Sequence, residues 1–550
     1  METIRKDSTR IKLVFSRTLK SQSAASVSMG SLAAYLQSRE FWVDMCLLDQ
    51  NSLHAAEAVL DNRAMRNIII AKPNFKDFRE MLALLENLKA SRFIDRIFLC
   101  GPFAKLNAQG LMVDLKWLDG VFVDQLESSA GTLLESMDVN LSMWDILSPG
   151  GISRNPLTGA VEKYTHPAAQ ISLNDLPFPV RDIEEGENGQ YVNLEASRGC
   201  LFDCSFCHIP STHEASSLAS KLAIRDPLLV VDEIEYLNRK MGKTLFIFND
   251  SCFWSSRRDD ERILRFAEEI LRRHLDIRFY IYLRTDPFIS HNVLAVLVKA
   301  GLVRVFLGVE NHVESSLALY RKRVRTDSYT SIKRIFDPLG VNIHIGYITF
   351  EPYSSVDNIF SNVEYLFEIG KLFRLGVILE PVRVIPNSTL HERLIADQLM
   401  PPGLSYDRIT YGYRFVHEEV GQLLREFKRM FCENLQGVAY DFEYYCTVGE
   451  LLRILAERLD PRFTSLLKDR YAAFNARKIQ AMKLLFEYFR SSIAHAKTGS
   501  VHLAGDPNHN AEFILAFKDM TGSIATSYAD IVTFIKESGG GRVVREVYRG

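Results

Sequence analysis

Short apolar segments alternate with helical patterns in two separate parts of the chain, and this alternation constrains the fold more than any other feature. The first part has five segments of the length of a buried strand, at residues 11–15, 43–48, 67–71, 97–100 and 120–123. Buried strands with helices between them are typical of a doubly wound parallel sheet. The dinucleotide-binding fingerprint GxGxxG does not follow the first strand.

The alternation begins again at residue 191, after a segment over residues 147–182 whose Pro, Gly, Asn and Thr content is typical of a linker. Asp226, Pro227 and Gly242 fit the N-cap, the first position and the end of one helix in this part. Strands joined by helices predict a partial or full β/α barrel, with its chemistry at the C-terminal strand ends. Six strands are predicted, at residues 191–196, 245–248, 278–283, 303–309, 342–348 and 376–384.

The C-terminal part of the chain lacks this alternation. Long helical patterns take over beyond about residue 401, and an apolar stripe over residues 476–497 predicts a packed helix face. The expected domains are therefore a flavodoxin-like (Rossmann-like) sheet domain, a linker, a partial (β/α)6 barrel and a mostly helical C-terminal domain. Their expected bounds are residues 1–146, 147–190, 191–400 and 401–550.

The charge pattern excludes two classes of partner. Lys and Arg number 66 against 68 Asp and Glu, and no run of four or more basic residues occurs. We therefore expect neither a nucleic-acid groove nor a patch for an anionic membrane surface. The first apolar run is too short for a signal peptide, and no segment approaches about eighteen uninterrupted apolar residues. We expect a cytoplasmic protein.

Three of the eight cysteines, Cys200, Cys204 and Cys207, lie within eight residues, and the others are scattered. In a reducing compartment such a cluster more often binds metal than forms disulfides. Structural zinc needs four ligands, and no nearby fourth cysteine or second CxxC pair is present. Three thiolates suit an iron–sulfur cubane with one open iron. A Cys3His zinc site using His208 or His213, and three buried structural cysteines, remain alternatives.

The segment ASRGCLFDCSFC, residues 196–207, resembles the signature of the radical S-adenosylmethionine (radical SAM) superfamily, with Phe206 at the aromatic position before the last cysteine. In that superfamily the open iron of a [4Fe–4S] cluster chelates S-adenosylmethionine and delivers the electron that splits it to a 5′-deoxyadenosyl radical. The resemblance implies that Cys200, Cys204 and Cys207 hold such a cluster and that the reaction begins with hydrogen abstraction.

Later segments resemble the second to sixth strands of the same family: FIFNDSCF, YLRTDPF, RVFLGVEN, HIGYITFEP and EPVRVIPNSTL. The usual GGE-type triplet is absent, and Phe350 stands where a second glycine is common. For Arg284 and Glu310, an ordinary ion pair at a strand end is the alternative. The resemblance implies these contacts with S-adenosylmethionine, besides Phe206: Asn249, Asp250, Ser251, Arg284, Glu310, Gly346, Ile348, Glu351 and Val384.

A flavodoxin-like domain ahead of such a barrel, joined by a segment like SLNDLPFPVRD, is similar to the cobalamin-binding subgroup of the superfamily. The cobalt-ligating motif DxHxxG is absent, because Asp49, Gln50, Asn51 and His54 do not match its spacing. The resemblance therefore implies a base-off corrin at the C-terminal edge of the sheet. The expected cobalamin contacts are Ser16, Lys72, Gly101, Pro102, Phe103 and Glu127.

The resemblance implies a cobalamin-dependent C-methyltransferase that acts on a natural-product or peptide substrate and uses a reducing partner such as flavodoxin. Cyclisation, ring contraction or oxidation with the same cofactors is one alternative, and a non-enzymatic metal-binding interaction module is another. A methylthiotransferase needs three N-terminal cysteines, but only Cys46 and Cys100 lie there.

The C-terminal domain matches no family by its sequence pattern. We expect it to close over the mouth of the barrel and to select the substrate. Its aromatic candidates, for which packing is the favoured alternative, are Tyr411, Tyr413, Tyr444 and Tyr445.

Overall fold

The computed structural model describes residues 9–16, 24–48, 66–74, 78–90, 94–138, 151–154, 160–163, 170–181, 191–214, 216, 220–285, 289–400, 412–498 and 507–548. The residues tested against the DxHxxG motif, at positions 49–51 and 54, lie outside these ranges, as does Tyr411. The side chain of Ser16 is also not described. Among the described residues, no helix combines the length and apolar character needed to span a bilayer.

The N-terminal domain is a doubly wound sheet, as its sequence pattern predicts. Its first five strands pair in parallel: β1 (Thr9–Ser16), β2 (Trp42–Leu48), β3 (Arg66–Lys72), β4 (Ile94–Leu99) and β5 (Gly120–Phe122). Alternate side chains of β1 enter two different cores: Leu13 lies in one and Val14 in the other, because successive strand residues face opposite sides. The helices are α1 (Ala24–Gln37), α2 (Phe78–Ala90), α3 (Gly101–Leu106), α4 (Ala108–Asp114) and α5 (Leu126–Asp138).

Two short strands lie within the segment that the sequence predicts as a linker. They are β6 (Gly151–Arg154) and β7 (Val161–Lys163), and they extend the sheet in the antiparallel sense to the order β2-β1-β3-β4-β5-β6-β7. Ile152 and Val161 pack against the sheet core. The linker prediction is therefore wrong for these strands, because runs of three or four residues between turn residues leave too little periodicity to detect.

The second domain is a partial barrel. Its small strands β9 (Ser197–Gly199) and β10 (Leu222–Ile224) pair with each other. Its main parallel sheet has the order β14-β13-β12-β11-β8, formed by β8 (Tyr191–Leu194), β11 (Leu245–Phe248), β12 (Arg278–Arg284), β13 (Leu302–Glu310) and β14 (Asn342–Tyr347). The helices are α6 (His208–Glu214), α7 (Pro227–Met241), α8 (Asp260–Arg272), α9 (His291–Lys299), α10 (Glu314–Leu319), α11 (Ser328–Phe336) and α12 (Val356–Glu368).

The helix-boundary signals around α7 are confirmed. The Asp226 carboxylate accepts a hydrogen bond from the Leu228 amide at 2.8 Å, and Pro227 is the first helical residue. Gly242 ends the helix with φ 65°, a left-handed conformation that glycine adopts without a Cβ clash.

The predicted sixth barrel strand, residues 376–384, is wrong over most of its length. Residues Leu375–Ile378 form a short helix, α13, and only Val384 makes an isolated β-bridge. The Gly376 amide donates to the Glu443 carboxylate at 2.7 Å. This hydrogen bond reaches a distant helix, so no local sequence pattern could reveal it.

The two faces of the barrel sheet differ in character. One face packs against helices through residues such as Ile281, Val305 and Ile345. Register places the alternate residues together on the opposite face, which we call the inner face: Tyr280, Tyr282, Arg304, Phe306, His344 and Gly346. This face carries aromatic and charged side chains of the kind that bind polar ligands.

The C-terminal part of the chain is helical, as expected. Its helices are α14 (Thr389–Ala396), α15 (Glu418–Lys428), α16 (Gln436–Leu459), α17 (Phe463–Leu466), α18 (Lys468–Lys497), α19 (Pro507–Glu537) and α20 (Gly541–Tyr548), with a π-helical turn at Arg429–Asn434. In the stripe on α18, Met482, Leu485 and Phe489 are buried, whereas Ile479 is exposed.

The expectation that this domain closes over the barrel mouth is wrong for α16. Arg458 donates to the carbonyl oxygens of Val298 and Leu302, where β13 begins. This helix end therefore lies at the N-terminal ends of the strands. Tyr444 and Tyr445 pack among other aromatic rings, while the Tyr413 hydroxyl donates to the Val382 carbonyl at 3.0 Å.

Candidate functional site

The three clustered cysteines follow β9 in one loop. Gly199 precedes them with φ 94°, and a Cβ there would lie 2.1 Å from the Lys221 carbonyl oxygen, so this position requires glycine. The Cys200 amide donates to that same oxygen at 2.9 Å, and the Cys207 amide donates to the Cys204 carbonyl at 3.1 Å. All three thiols are free and half-buried, so one loop presents three sulfur ligands.

The chemistry of this loop fits an iron–sulfur cluster. Burial raises the pKa of Cys207 to about 12 and also raises the pKa of Cys200, because a thiolate at either position would be poorly hydrated. A bound metal would deprotonate such thiols. Among the described residues, no three His, Cys, Asp or Glu side chains converge on the position of a single metal ion. A cubane does not require that convergence, because each cysteine binds a different iron.

Arg284, at the end of β12, contacts the cysteine loop directly. Its Nη1 lies 3.5 Å from the Cys204 Sγ, and its Nη2 donates to the Lys322 carbonyl at 2.6 Å. Its guanidinium also lies 3.7 Å from the centroid of the Phe202 ring. A donor beside a ligand sulfur can tune the potential of a cluster. The predicted contact between Arg284 and S-adenosylmethionine stays a prediction.

Glu310 lies where β13 ends, in a backbone conformation that is rare for residues other than glycine. Its φ is 67°, its carbonyl accepts from the Ile348 amide at 2.6 Å, and its carboxylate pairs with Lys322 at 2.8 Å. A Cβ at Gly308 would lie 2.5 Å from the Glu310 Oε1, whereas one at Gly346 would lie 3.7 Å from its Oε2. Such a conformation costs about 1–3 kcal/mol and persists where the surroundings impose it.

The predicted triplet after β11 divides into three different environments. The buried Asp250 carboxylate accepts from the Ala196 amide at 3.0 Å and from the Ser197 hydroxyl at 2.5 Å, and burial raises its pKa to about 6. It therefore supports the segment before the cysteines. Ser251 is exposed, and the Asn249 Nδ2 is buried without a hydrogen-bond partner among the described residues. Of the three residues, Asn249 is therefore the one whose side-chain amide can donate a hydrogen bond to a ligand.

The apolar residues predicted to contact the ligand lie in one small cluster. Val384 is fully buried there, and Phe206 and Ile348 pack against it. The Phe206 ring meets the Tyr320 ring edge-on at 5.1 Å. The Glu351 carboxylate, in contrast, accepts from the Tyr353 amide at 2.7 Å and from two serine hydroxyls, so its described partners are internal.

A cavity of about 320 Å³ separates the C-terminal edge of the N-terminal sheet from the cysteine loop. Four of the residues predicted to bind cobalamin line it: Lys72, Gly101, Pro102 and Glu127. Phe103 does not line it, because its side chain is fully buried and stacks on Phe78 at 4.6 Å between centroids. The turn of α3 directs the Phe103 side chain into the core, and its contact with cobalamin stays a prediction.

Other charged and polar residues also line this cavity: Lys105, which sequence reasoning did not select, and His208 and His213, which it considered only as zinc ligands. Burial lowers the pKa of Lys105 to about 8 and of His208 to about 4, so the His208 imidazole is neutral at neutral pH. The His213 Nε2 is buried without a partner among the described residues. Lys72 donates to the Ser28 hydroxyl, and burial lowers its pKa.

Arg198 connects the two walls of the cavity. Its Nη1 donates to the Glu127 Oε2 at 2.9 Å, and its Nη2 lies 2.9 Å from the Oε1, which makes a two-pronged pair. The same guanidinium pairs with Glu195 at 2.6 Å, and Ser31 donates to Glu127 at 2.7 Å. Sequence reasoning could have selected Arg198, because it lies two residues before Cys200.

Comparisons with known proteins agree with this arrangement. Residues 194–349 match the family model of the radical SAM superfamily. The chain is 26% identical over 229 residues to the anaerobic magnesium-protoporphyrin IX monomethyl ester cyclase of Rubrivivax gelatinosus. This match covers 38% of either protein, so the chain spans well under two thirds of that relative.

Two solved structures resemble the chain in fold. The cobalamin-dependent S-adenosylmethionine radical enzyme OxsB with aqua-cobalamin bound has a TM-score of 0.69 at 16% identity, over 99% of this chain and 84% of OxsB. The radical S-adenosylmethionine methyltransferase TsrM from Kitasatospora setae, with cobalamin and [4Fe-4S] cluster bound, has a TM-score of 0.55 at 15% identity, over 71% of this chain and 75% of TsrM. Residues 194–349 therefore match the radical SAM superfamily, and the chain has the fold of the cobalamin-dependent radical SAM enzymes OxsB and TsrM.

Proposed function

We propose that this protein is a cobalamin-dependent radical SAM enzyme that transfers a methyl group to an unactivated carbon of a small-molecule or peptide substrate. The observation that carries the proposal is the cavity between the sheet edge and the cysteine loop. One side of it is the sheet edge proposed to hold the corrin, and the other side includes Gly199 and His208, which directly flank the three free cysteines in sequence. When bound, the cluster would supply the electron that cleaves S-adenosylmethionine, and cobalamin would supply the methyl group.

In this chemistry the chain holds the cluster, contacts S-adenosylmethionine and supports the loops that carry these residues. Cys200, Cys204 and Cys207 hold the cluster, and Arg284 donates a hydrogen bond to one of its ligand sulfurs. S-adenosylmethionine would lie against the strand ends. The chain's proposed contacts with it are Phe206, Asn249, Arg284, Glu310, Gly346, Ile348 and Val384. Asp250 and Glu351 accept hydrogen bonds from backbone amides of the loops, and we propose that these two carboxylates support the loops.

The corrin would lie against Lys72, Gly101, Pro102 and Glu127. Gly101 has φ 85°, and a Cβ there would lie 2.8 Å from the Lys72 Cγ, so the backbone and this lysine form one close-packed wall. None of these four residues is a histidine, the commonest metal-ligating side chain. The wall therefore supports base-off binding without an imidazole ligand on that side.

The domain assignment follows from the same argument. Residues 1–146, together with β6 and β7, form the cobalamin-binding unit, residues 191–400 form the radical SAM barrel, and residues 401–550 form the helical domain. A reducing partner such as flavodoxin would supply the electron.

A second candidate keeps both cofactors but replaces methyl transfer by cyclisation, ring contraction or oxidation. The similarity to a protein named as a cyclase favours it, whereas the similarity to TsrM, named as a methyltransferase, favours the first candidate. The mass of the product distinguishes them, because only methyl transfer adds one carbon.

The test is anaerobic reconstitution of the full chain with iron, sulfide and hydroxocobalamin. We expect about four irons and one corrin per chain, and 5′-deoxyadenosine after reduction with S-adenosylmethionine. Replacing Cys200, Cys204 and Cys207 together by Ala should abolish iron uptake and cleavage, whereas the matched change Cys252→Ala, at a buried cysteine outside the motif, should not. Retained zinc without iron uptake would overturn the proposal, and absence of corrin would overturn its cobalamin part.

A further inference from the structure

The inner face of the barrel is polar and partly open. Tyr282 is 37% exposed, and Arg304, Phe306 and His344 are half-buried. The rings of Tyr282 and Phe306 lie 5.1 Å apart, and those of Phe306 and His344 lie 5.2 Å apart. These residues form a continuous row across three neighbouring strands, with Arg304 beside them on β13. A barrel interior that served packing alone would carry aliphatic side chains here.

Cationic side chains gather at the lower end of this face, near the strand N-termini. Arg374 contacts the His344 Nε2 and pairs with Glu443 at 3.0 Å. Behind it, Lys371 and Lys478 both pair with Glu450, at 2.8 and 2.7 Å. The pairs of Arg374 and Lys371 join the barrel to α16, and the pair of Lys478 joins α18 to α16.

Arg304 differs from these cations because it has no acidic partner. Among the described residues its side chain makes no ion pair or hydrogen bond, and its guanidinium lies 5.5 Å from the centroid of the Tyr280 ring. Its Nε and that of Arg374 are both buried and unpartnered in the described part of the chain. Both guanidinium groups therefore retain unused donors.

The charges of this cluster do not balance. Burial lowers the pKa of Lys371, but its ion pair with Glu450 stabilises the charged form. Arg304, Arg374, Lys371 and Lys478 thus bring four positive charges, and the two described carboxylates among them, on Glu443 and Glu450, bring two negative charges. Burial, and then the nearby arginines, push the pKa of His344 well below its ordinary value, so this imidazole is neutral and accepts the Arg374 hydrogen bond. Burial also raises the pKa of Cys446, which leaves that thiol uncharged. Two positive charges therefore remain, and an uncompensated charge out of water is unfavourable.

We propose that Arg304, together with Arg374 and His344, binds a phosphate monoester group of the substrate on the inner face of the barrel. A phosphate monoester is close to a dianion at neutral pH and matches the two excess charges, whereas a carboxylate matches one. Planar guanidinium groups with unused N–H donors suit its oxygens. The proposal rests on the proposed function, since it takes the inner face as part of the substrate site.

The position of Arg304 also limits the shape of the substrate. Arg304 lies six residues before Glu310 on the same strand, about 20 Å along it at ~3.3 Å per residue. Glu310 lies at the strand end where S-adenosylmethionine is proposed to bind. A phosphate held at Arg304 therefore belongs to an elongated small molecule whose reacting carbon is at the opposite end from the phosphate. This geometry favours a phosphorylated metabolite over a peptide.

The experiment measures binding of inorganic phosphate to the full, cluster-loaded chain by equilibrium dialysis with labelled phosphate. The variant is Arg304→Gln, with Arg304→Lys as the version that keeps the charge. The matched control is Arg490→Gln, at an arginine on α18 whose pair with Glu487 is exposed. Circular dichroism and iron content check that each variant is folded and loaded.

We expect one phosphate per chain, at least tenfold weaker binding in Arg304→Gln, partial recovery in Arg304→Lys and no change in Arg490→Gln. Acetate at the same ionic strength should not displace the phosphate. Equal binding by Arg304→Gln and Arg490→Gln would overturn the site, and displacement by acetate as effective as by phosphate would overturn the choice of phosphate. Formation of 5′-deoxyadenosine in the same samples without substrate tests the proposed function separately, so the two failures are distinguishable.

Discussion

The pair between Arg198 and Glu127 gives the most quantitative prediction, because the buried carboxylate depends on one cation. Glu127 has 1% of its side chain exposed and Arg198 has 24%, and the pair joins α5 to the strand before the cysteine loop. Removing one partner of a buried pair costs about 3–5 kcal/mol, since the remaining charge is left without compensation. We expect Arg198→Met to cost about 3 kcal/mol at neutral pH, the lower end, because Arg198 is partly solvated.

The sign of the pH dependence is a sharper test than the magnitude. Burial alone would raise the pKa of Glu127, but Arg198 and the Ser31 hydroxyl hold it below its ordinary value. The pair therefore contributes stability above the unfolded pKa of about 4.5, and this contribution is lost as pH falls through the folded pKa. In Arg198→Met, burial raises the folded pKa instead. The difference in free energy of unfolding between the parent protein and Arg198→Met should therefore be largest at neutral pH. It should become smaller as the pH falls towards 5, because the Glu127 carboxyl of the variant is then protonated.

The assay is urea unfolding of the full chain under anaerobic conditions at pH 7.5 and pH 5.0, read at the first transition because several domains unfold separately. Arg39→Met is the control, since its pair with Glu135 also joins to α5 but is about 40% exposed on both sides. Such surface pairs contribute about 0–1 kcal/mol. A loss below 1 kcal/mol in Arg198→Met, or an equal loss at both pH values, would refute the reasoning.

Two further substitutions test other parts of the site. Gly308→Ala should weaken S-adenosylmethionine binding at least tenfold in equilibrium dialysis, because the added Cβ would lie 2.5 Å from the Glu310 carboxylate, whereas Gly437→Ala, with open space around it, should bind normally. Unchanged binding in Gly308→Ala would remove Glu310 from the site. Burial would raise the pKa of Glu450, but two lysines hold it at about 2, so Glu450→Gln should lower the thermal midpoint at pH 7 and progressively less below pH 4.5. Glu487→Gln, at an exposed surface pair, should leave the midpoint unchanged, and an equal shift in both variants would contradict this explanation.

The parts of the fold that the sequence predicts best are those governed by local rules. A continuous apolar run such as residues 67–71 can be buried only as an inner strand, and β3 lies where this rule places it. The boundaries of α7 follow from the side chain of Asp226 and the φ of Gly242, both of which are local properties. The site-bearing loop was also recognisable, because its cysteines and Gly199 are adjacent in sequence.

The parts that sequence reasoning missed depend on contacts between distant segments. Gly376 is held in a helical turn by Glu443 from another helix, so a run that reads as a strand does not form one. Phe103 and Pro102 are neighbours, yet one packs in the core and the other lines the cavity, because the direction of α3 is set by its packing. The Asp250 carboxylate accepts hydrogen bonds from Ala196 and Ser197, which lie more than fifty residues earlier, so no local pattern indicates these contacts.

These distant contacts explain how the cysteine loop acquires a defined position relative to the N-terminal cavity. Asp250 holds the start of the segment from the barrel side, and Arg198 holds its next residues from the N-terminal domain through Glu127. The Cys200 amide is then fixed to Lys221 by a hydrogen bond of 2.9 Å. Under the proposed function, chemistry between two separately bound cofactors requires reacting atoms placed to within about 1 Å, and a loop anchored to both domains meets this need. It follows that loosening Arg198 should impair methyl transfer more than cleavage of S-adenosylmethionine, because only the former depends on the spacing between the two domains.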